Sequence, residues 1–240
     1  MGITIRTMMG AVLVCAAATA TAEVTGNVGF ATDYRFRGIS QTDRDPAIQG
    51  GLDLTTEAGF YAGAWASNIQ FAGSMELDLY GGFTGAINEN LTYDLGYIFY
   101  KYPSANDSGE LEVDYHEVKG VLAFSGFSVG VHYSPDYTFE TGAFWYVFGD
   151  YSMPLGDLAT LDLHVGLNQF EDEDEYGDFG LGEVGDDDDN YIDYSISLSR
   201  EQWGLSWGLA LVGTDVDDEE CFGDTKICEP TAVLSVSRSL

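Results

Sequence analysis

The sequence ends in Ala232-Val233-Leu234-Ser235-Val236-Ser237-Arg238-Ser239-Leu240, and this stretch decides the fold class. Its even positions are apolar except for Arg238, and Ser235, Ser237 and Ser239 fill the odd ones after Val233. This period of two predicts a strand with one apolar and one polar face. A strand at the very end is typical of outer-membrane barrels, in which the last strand pairs with the first and leaves no edge in lipid. An edge strand of a soluble sandwich is the alternative that this segment alone leaves open.

The beginning of the chain predicts export. Arg6 precedes an apolar stretch from Met8 to Ala18, and Ala20-Thr21-Ala22 provides the small residues of a cleavage site. This pattern is that of a secretory signal peptide, which is too short to cross a bilayer as a helix. We therefore expect a signal peptide over residues 1–22 and a single outer-membrane barrel domain over residues 23–240.

Composition narrows the class of protein further. The 240 residues include 30 glycines and 14% aromatic residues, which favours a tightly curved β protein over a helical one. The 40 acidic residues outnumber the 9 basic ones, for a net charge of −31. A surface so negative repels nucleic acid, so we exclude nucleic acid as a partner.

Alternating segments predict an all-β fold, a transmembrane antiparallel up-and-down barrel of about twelve strands. The gaps between them alternate between short turns and longer loops, as in bacterial barrels, and an even strand number puts both chain ends on the periplasmic side. The 111–124 segment loses its alternation near Glu117, which predicts a bulge. The predicted strands are 24–37, 46–56, 60–68, 75–87, 91–101, 111–124, 127–134, 142–152, 159–170, 190–200, 203–213 and 229–240.

In a barrel surrounded by lipid, the polar face of each strand lines the lumen. Arg35 and Arg37 are the strong positive charges of that face, and the other charges are mainly acidic, so we expect a mild preference for cations. Alternatively, the two arginines pair with Asp53 or Glu76 and plug the interior. The residues predicted to line the pore are Asp33, Arg35, Arg37, Gln49, Asp53, Glu76, Asp78, Asp94, Asp114, Asp162, His164 and Asp193.

Two of the three cysteines predict a local disulfide. Cys15 lies in the signal peptide, whereas Cys221 and Cys228 flank a polar segment of the exported chain. An oxidising compartment favours a disulfide between Cys221 and Cys228, which would close one loop.

The loop at 171–189 is acidic and contains no basic residue. Asp172, Asp174, Gly177 and Glu183 match positions of a calcium-binding loop, but Tyr176 breaks the pattern. Loosely bound divalent cations are a second interpretation, because crowded carboxylates attract hard cations. The third is a solvated loop without a ligand.

Catalytic and cofactor signals are weak. The histidines are His116, His132 and His164, and none belongs to a recognisable Ser/His motif. Because a nucleophile needs an adjacent base, the sequence does not predict an enzyme. It predicts no cofactor and no resident metal site.

Two regions resemble the TorF family of porins. The first is Gly26-Asn27-Val28-Gly29-Phe30-Ala31-Thr32-Asp33-Tyr34-Arg35-Phe36-Arg37-Gly38-Ile39-Ser40-Gln41-Thr42 with Pro46 to Gly51, and Phe60 to Asn68 is a further match. The second is the Cys-x6-Cys loop that leads into Val236-Ser237-Arg238-Ser239. Leu240 departs from the usual terminal Phe. The resemblance implies an outer-membrane channel and brings no catalytic residues.

Together these observations predict a porin of the Gram-negative outer membrane that passes small hydrophilic solutes or ions by passive diffusion. The alternative is a closed structural barrel whose acidic loops bind divalent cations or a surface partner. Outer-membrane lipid is the expected surroundings in both cases. The number of subunits stays open, because outward faces are apolar whether they meet lipid or protein.

Overall fold

The computed structural model describes residues 22–71, 73–103, 105, 112–182, 189–223 and 225–240, so the predicted signal peptide lies outside the described residues except for Ala22. Twelve strands form a closed barrel, which confirms the predicted fold class. Strands β2 (Arg35–Phe36) and β3 (Ile39–Ser40) form a separate two-stranded sheet. The barrel strands are β1 (Ala22–Ala31), β4 (Ala47–Thr56), β5 (Phe60–Asn68), β6 (Met75–Ala86), β7 (Leu91–Lys101), β8 (Tyr115–Phe124), β9 (Phe127–Ser134), β10 (Phe144–Pro154), β11 (Thr160–Gln169), β12 (Asn190–Gln202), β13 (Leu205–Thr214) and β14 (Thr231–Ser239).

The barrel closes through its first and last strands. Each barrel strand pairs antiparallel with its neighbours in the chain, and β1 pairs with both β4 and β14. At the β1–β14 seam, Asn27 lies opposite Ser239 and Ala31 opposite Ser235. Closure gives the backbone groups of both strands their partners, which a sheet in lipid requires.

The outward face of the barrel is apolar. Large apolar side chains are exposed on the outside, such as those of Ile48, Leu52, Val165 and Ile196. Within each strand, the residues that alternate with them face the lumen. A soluble barrel would bury its apolar set inside. The alternation seen here is that of a barrel whose outer surface is covered by lipid.

Connections at the two ends of the barrel differ in length. Short turns at 57–59, 87–90, 125–126, 155–159 and 203–204 share one end with Ala22 and Ser239. The opposite end, here called the long-loop end, carries the connections 32–46, 69–74, 102–114, 135–143, 170–189 and 215–230. These hold helix α1 (Glu173–Phe179) and single 3-10 turns at Thr138–Glu140 and Asp218–Glu220. No helix in the described part of the chain is long and apolar enough to span a membrane.

The buried core lies inside the lumen at the long-loop end. It is mostly aromatic and combines the ends of strands with the loops that fold over them. Tyr100 stacks on Tyr115 with ring centroids 4.4 Å apart, and Tyr137 stacks on Phe144 at 4.0 Å. Aromatic side chains therefore occupy much of the lumen at this end.

Two predicted strands extend four or more residues beyond an end of the observed strand. The first ends at Ala31 and not at residue 37, because the chain leaves the wall there. The sixth begins at Tyr115 and not at residue 111. The bulge predicted near Glu117 is wrong, since the register between β7 and β8 is continuous from Tyr100 opposite Tyr115 to Leu91 opposite Phe124.

Candidate functional site

Residues 32–46, here called the lumen loop, fold back into the barrel. Strands β2 and β3 make a hairpin whose turn is Arg37-Gly38. Both residues have positive φ, 47° and 82°, as a tight two-residue turn requires. A Cβ on Gly38 would lie 2.5 Å from the Thr214 side chain, so only glycine fits against β13. The turn of the lumen loop therefore lies against β13, two strands from β1, where the loop begins.

Arg37 makes a buried ion pair at the tip of the lumen loop. Its Nη2 donates to both carboxylate oxygens of Glu117, at 2.7 and 2.9 Å. Arg37 is 8% exposed and Glu117 is 0% exposed. The Tyr100 hydroxyl donates to Glu117 at 3.2 Å, and His132 Nδ1 lies 2.7 Å from the same carboxylate. Such a pair is stable only because further hydrogen bonds satisfy it.

Aromatic rings surround the Arg37 guanidinium. Its central carbon lies 4.3 Å from the ring centre of Tyr146, 4.8 Å from that of Phe36 and 5.0 Å from that of Phe144. The negative ring faces attract the cation. Arginine keeps its charge in proteins, so Arg37 stays ionised in its pair with Glu117.

Arg35 binds within the lumen loop and to the loop that follows β13. Its Nε donates to Asp33 at 2.6 Å, and its Nη1 donates to the carbonyl oxygens of Gly38, Ile227 and Glu229. The predicted alternative partners of the two arginines, Asp53 and Glu76, are wrong. The partners are Asp33 and Glu117, because the hairpin turns Arg35 and Arg37 away from the wall that carries Asp53 and Glu76.

A disulfide holds the loop that Arg35 contacts. Cys221 and Cys228 are bonded, as predicted. Between them, Ile227 accepts a hydrogen bond from the Ser40 amide at 3.0 Å. Outside the ring of the disulfide, Arg44 donates to Glu229 at 2.6 Å, and this bond lowers the pKa of the Glu229 carboxyl. The disulfide loop and the lumen loop are thus joined.

Tyrosines hold the carboxylates on the wall formed by β4 to β8. The Tyr34 hydroxyl donates to Glu76 at 3.0 Å. In the same way, the Tyr80 hydroxyl donates to Asp53 and the Tyr61 hydroxyl donates to Asp94 at 2.7 Å. Lys119 also donates to Asp94, at 2.8 Å.

A second cluster centres on His164. Its Nδ1 lies 2.6 Å from Asp150 and its Nε2 lies 2.9 Å from Asp193. Ser195 lies directly opposite His164 in the neighbouring strand. Because carboxylates occupy both ring nitrogens, His164 is not placed to accept a proton from Ser195. A cavity of about 370 Å³ lies between this cluster and the lumen loop.

The residues predicted to line the pore therefore fall into three places. Asp33, Arg35 and Arg37 belong to the lumen loop. Asp114 lies at the rim, where it accepts from Lys101 at 2.6 Å. The others alternate with outward apolar residues on the walls and are Gln49, Asp53, Glu76, Asp78, Asp94, Asp162, His164 and Asp193.

Sequence reasoning missed Glu117, the partner of Arg37. The expected bulge left the direction of its side chain undefined. Regular alternation from the exposed Val118 and Leu122 would have placed Glu117 in the lumen.

The acidic loop contains helix α1. Asp172 caps the helix by accepting from the Glu175 amide at 3.2 Å. Partial burial raises the pKa of the Glu175 carboxyl, and the neighbouring carboxylates of Asp172 and Asp178 raise it further. Glu183, the last position of the calcium-loop match, lies outside the described residues. Among those described, no group of acidic, histidine or cysteine side chains is arranged to hold a metal ion.

Comparisons with known protein families give a match to a family of unknown function. A family model described as "Bacterial protein of unknown function (Gcw_chp)" matches residues 15–240. This match does not confirm the TorF name that the sequence motifs suggested. None of the curated proteins matches the chain.

Three solved structures align with most of this chain. The KdgM porin in complex with disordered oligogalacturonate is 9% identical, with a TM-score of 0.53 over 92% of this chain and 99% of that chain. Another KdgM porin structure is 10% identical, with a TM-score of 0.51 over 92% and 99%. The NanC porin is 8% identical, with a TM-score of 0.49 over 90% and 98%. At these identities the likeness concerns the fold alone.

Proposed function

The chain belongs to the Gcw_chp family of bacterial proteins of unknown function, and we propose that it is an outer-membrane porin whose lumen loop narrows a passive channel for small hydrophilic solutes or ions. The observation that carries the proposal is the lumen loop, which enters the barrel and pairs Arg37 with Glu117 of β8. Pore width and the charges around the narrowest point decide what a passive channel passes.

The apolar outer surface of the barrel supports the proposal that the protein lies in a membrane. Large apolar side chains alternate with lumen-facing polar ones in strands of about the length that a tilted strand needs to span a bilayer. A closed ring of an even number of antiparallel strands is the bacterial outer-membrane design. Short turns would then face the periplasm and the long loops the outside.

The lumen charges support a mild preference for cations. The basic side chains Arg37 and Lys119 are each paired with a carboxylate. Asp150 and Asp193 share a single histidine, and Asp162 adds a further negative charge to β11. Carboxylates along a pore favour cations over anions.

Planar-bilayer recording tests the proposal. We expect the refolded protein to give small discrete current steps, and a salt gradient to give a reversal potential on the cation side. A variant with residues 35–40 replaced by Gly-Gly removes the hairpin and should give larger steps. Anion selectivity would contradict the charge assignment, and silence of both folded proteins would contradict the channel itself.

A closed structural barrel is the second candidate. The buried Arg37–Glu117 pair and the aromatic core favour it, because both fill the lumen at the long-loop end. The acidic outer loops would then be the surface that interacts with cations or a partner. This candidate predicts silence of the natural chain and current only from the shortened variant, so the same recordings separate the two functions.

A further inference from the structure

A cavity of about 460 Å³ lies between the lumen loop and the outer loops. Protein interiors rarely leave voids much larger than a water molecule. Pockets for small ligands have volumes of about 300–1,000 Å³, are mainly apolar and contain a few placed polar groups. The size of this cavity is therefore that of a ligand site and not that of a packing defect.

The lining of the cavity is mainly aromatic. Phe36 comes from the lumen loop, Tyr115 and Tyr137 from the strand end and loop beside it, Phe179 from helix α1 and Phe222 from the disulfide loop. The Phe179 ring lies 5.4 Å from Phe222 and 5.7 Å from Tyr137. These rings come from distant parts of the chain, and together they offer several π faces and edges to one occupant.

The charge around the cavity favours a cation. Among the described residues that line it, Asp178 is the only charged one. Arg37 lies over the Phe36 ring, but its charge is paired with Glu117. The whole chain carries a net charge of −31. Aromatic faces with a nearby carboxylate are the surroundings in which proteins bind organic cations.

We propose that this cavity binds a small aromatic cation, with its ring packed against Phe179 and Phe222 and its ammonium group toward Asp178. The site is separate from the lumen cavity beside His164. Binding there can therefore be tested whether or not the barrel conducts ions. Neither the fold nor the family indicates this class of ligand for the outer face of the lumen loop.

Binding of tryptamine tests the proposal, with indole-3-acetate as a probe of the same ring system and opposite charge. Equilibrium dialysis would use the full chain in lipid nanodiscs, with empty nanodiscs to subtract uptake by lipid. We expect saturable binding of one tryptamine per chain and at least tenfold weaker binding of indole-3-acetate. Equal uptake by loaded and empty nanodiscs would overturn the site, and equal affinity for the two probes would overturn its charge preference.

Variants locate the bound probe. Phe179→Ala and Phe222→Ala should each weaken tryptamine about tenfold or more, because each removes one ring face and its apolar contact. Asp178→Asn should reduce the advantage of tryptamine over indole-3-acetate while the exposed position leaves folding intact. Trp203→Ala removes an aromatic that is 82% exposed on a short turn at the opposite end, so it is the matched control. Unchanged binding in both phenylalanine variants would contradict the location.

Discussion

At the scale of single residues, the pairing of Arg37 with Glu117 is the most consequential contact of the lumen. A buried ion pair adds little net stability, because desolvation offsets its attraction, but removing one partner leaves an unpaired buried charge. Here both side chains are almost fully buried, and the aromatic rings around Arg37 offer no other anion. The pair should therefore fix where the lumen loop lies more than how stable the barrel is.

Glu117→Gln should lower the free energy of unfolding by about 3–5 kcal/mol, since Arg37 keeps its charge without a counterion. Urea unfolding of the refolded barrel, followed by tryptophan fluorescence, measures the change. The double variant Arg37→Met with Glu117→Leu should lose less than Glu117→Gln alone.

The partly exposed pair of Lys119 and Asp94 is the control for this prediction. Asp94→Asn should cost about 1 kcal/mol or less, because solvent screens the remaining charge. If Glu117→Gln and Asp94→Asn have equal effects, Arg37 is not held by a buried ion pair.

At the scale of elements, the lumen loop and the disulfide loop behave as one unit. Arg35 donates to the Ile227 and Glu229 carbonyl oxygens, and the Ser40 amide donates to Ile227. The disulfide closes a short ring around Ile227, because the two cysteines are seven positions apart. Loss of the disulfide should loosen the lumen loop without opening the wall, whose strands pair independently of it.

Cys221→Ser with Cys228→Ser should reduce stability by about 2–3 kcal/mol, as expected for so short a loop. We also expect the loss of the disulfide to change hydrogen exchange only near the lumen loop. Amide hydrogens of Ser40 and Gln41 should exchange faster in the variant, whereas those of β5 should not. Hydrogen exchange read by mass spectrometry measures both, and uniform acceleration over the barrel would contradict the proposed local coupling.

The wall strands were easier to predict from the sequence than the contacts of the loops. Phe60–Asn68 was predicted with its observed bounds, because turn residues flank it on both sides. The segment after Ala31 was misplaced, because Tyr34 and Phe36 alternate with Asp33 and Arg35 in a hairpin just as they would in the wall. Glu117 escaped prediction because it lies 80 positions from Arg37. Local periodicity indicates a strand and its faces, but not which distant residue a loop will contact.

At the scale of the whole molecule, the barrel has an inverted distribution of polarity. Its outer surface is apolar, and its interior combines charges with an aromatic core at one end. The main apolar partner of the wall is therefore the surrounding lipid. The stability of the barrel should depend on its lipid-facing side chains as strongly as on its lumen-facing ones.

Neighbouring residues of β12 test this inversion. Ile196 is 53% exposed on the outside, whereas Ser197 faces the lumen opposite Asp162. Ile196→Arg should cost about 2–4 kcal/mol near the centre of the bilayer. Ser197→Arg should cost much less, because Asp162 provides a counterion. Unfolding in phospholipid vesicles measures both, and a larger loss for Ser197→Arg would reverse the assignment of the faces.

The place where the lumen loop is attached has a consequence for assembly. The loop joins β1 to β4, and β1 is also the strand that meets β14 at the seam. Arg37 must reach Glu117, on the far wall, through the interior of the ring. If β1 and β14 pair before the hairpin has entered the lumen, its charged tip must afterwards pass through the long-loop end of the closed barrel. We therefore expect the order of hairpin insertion and seam closure to affect how readily the barrel assembles.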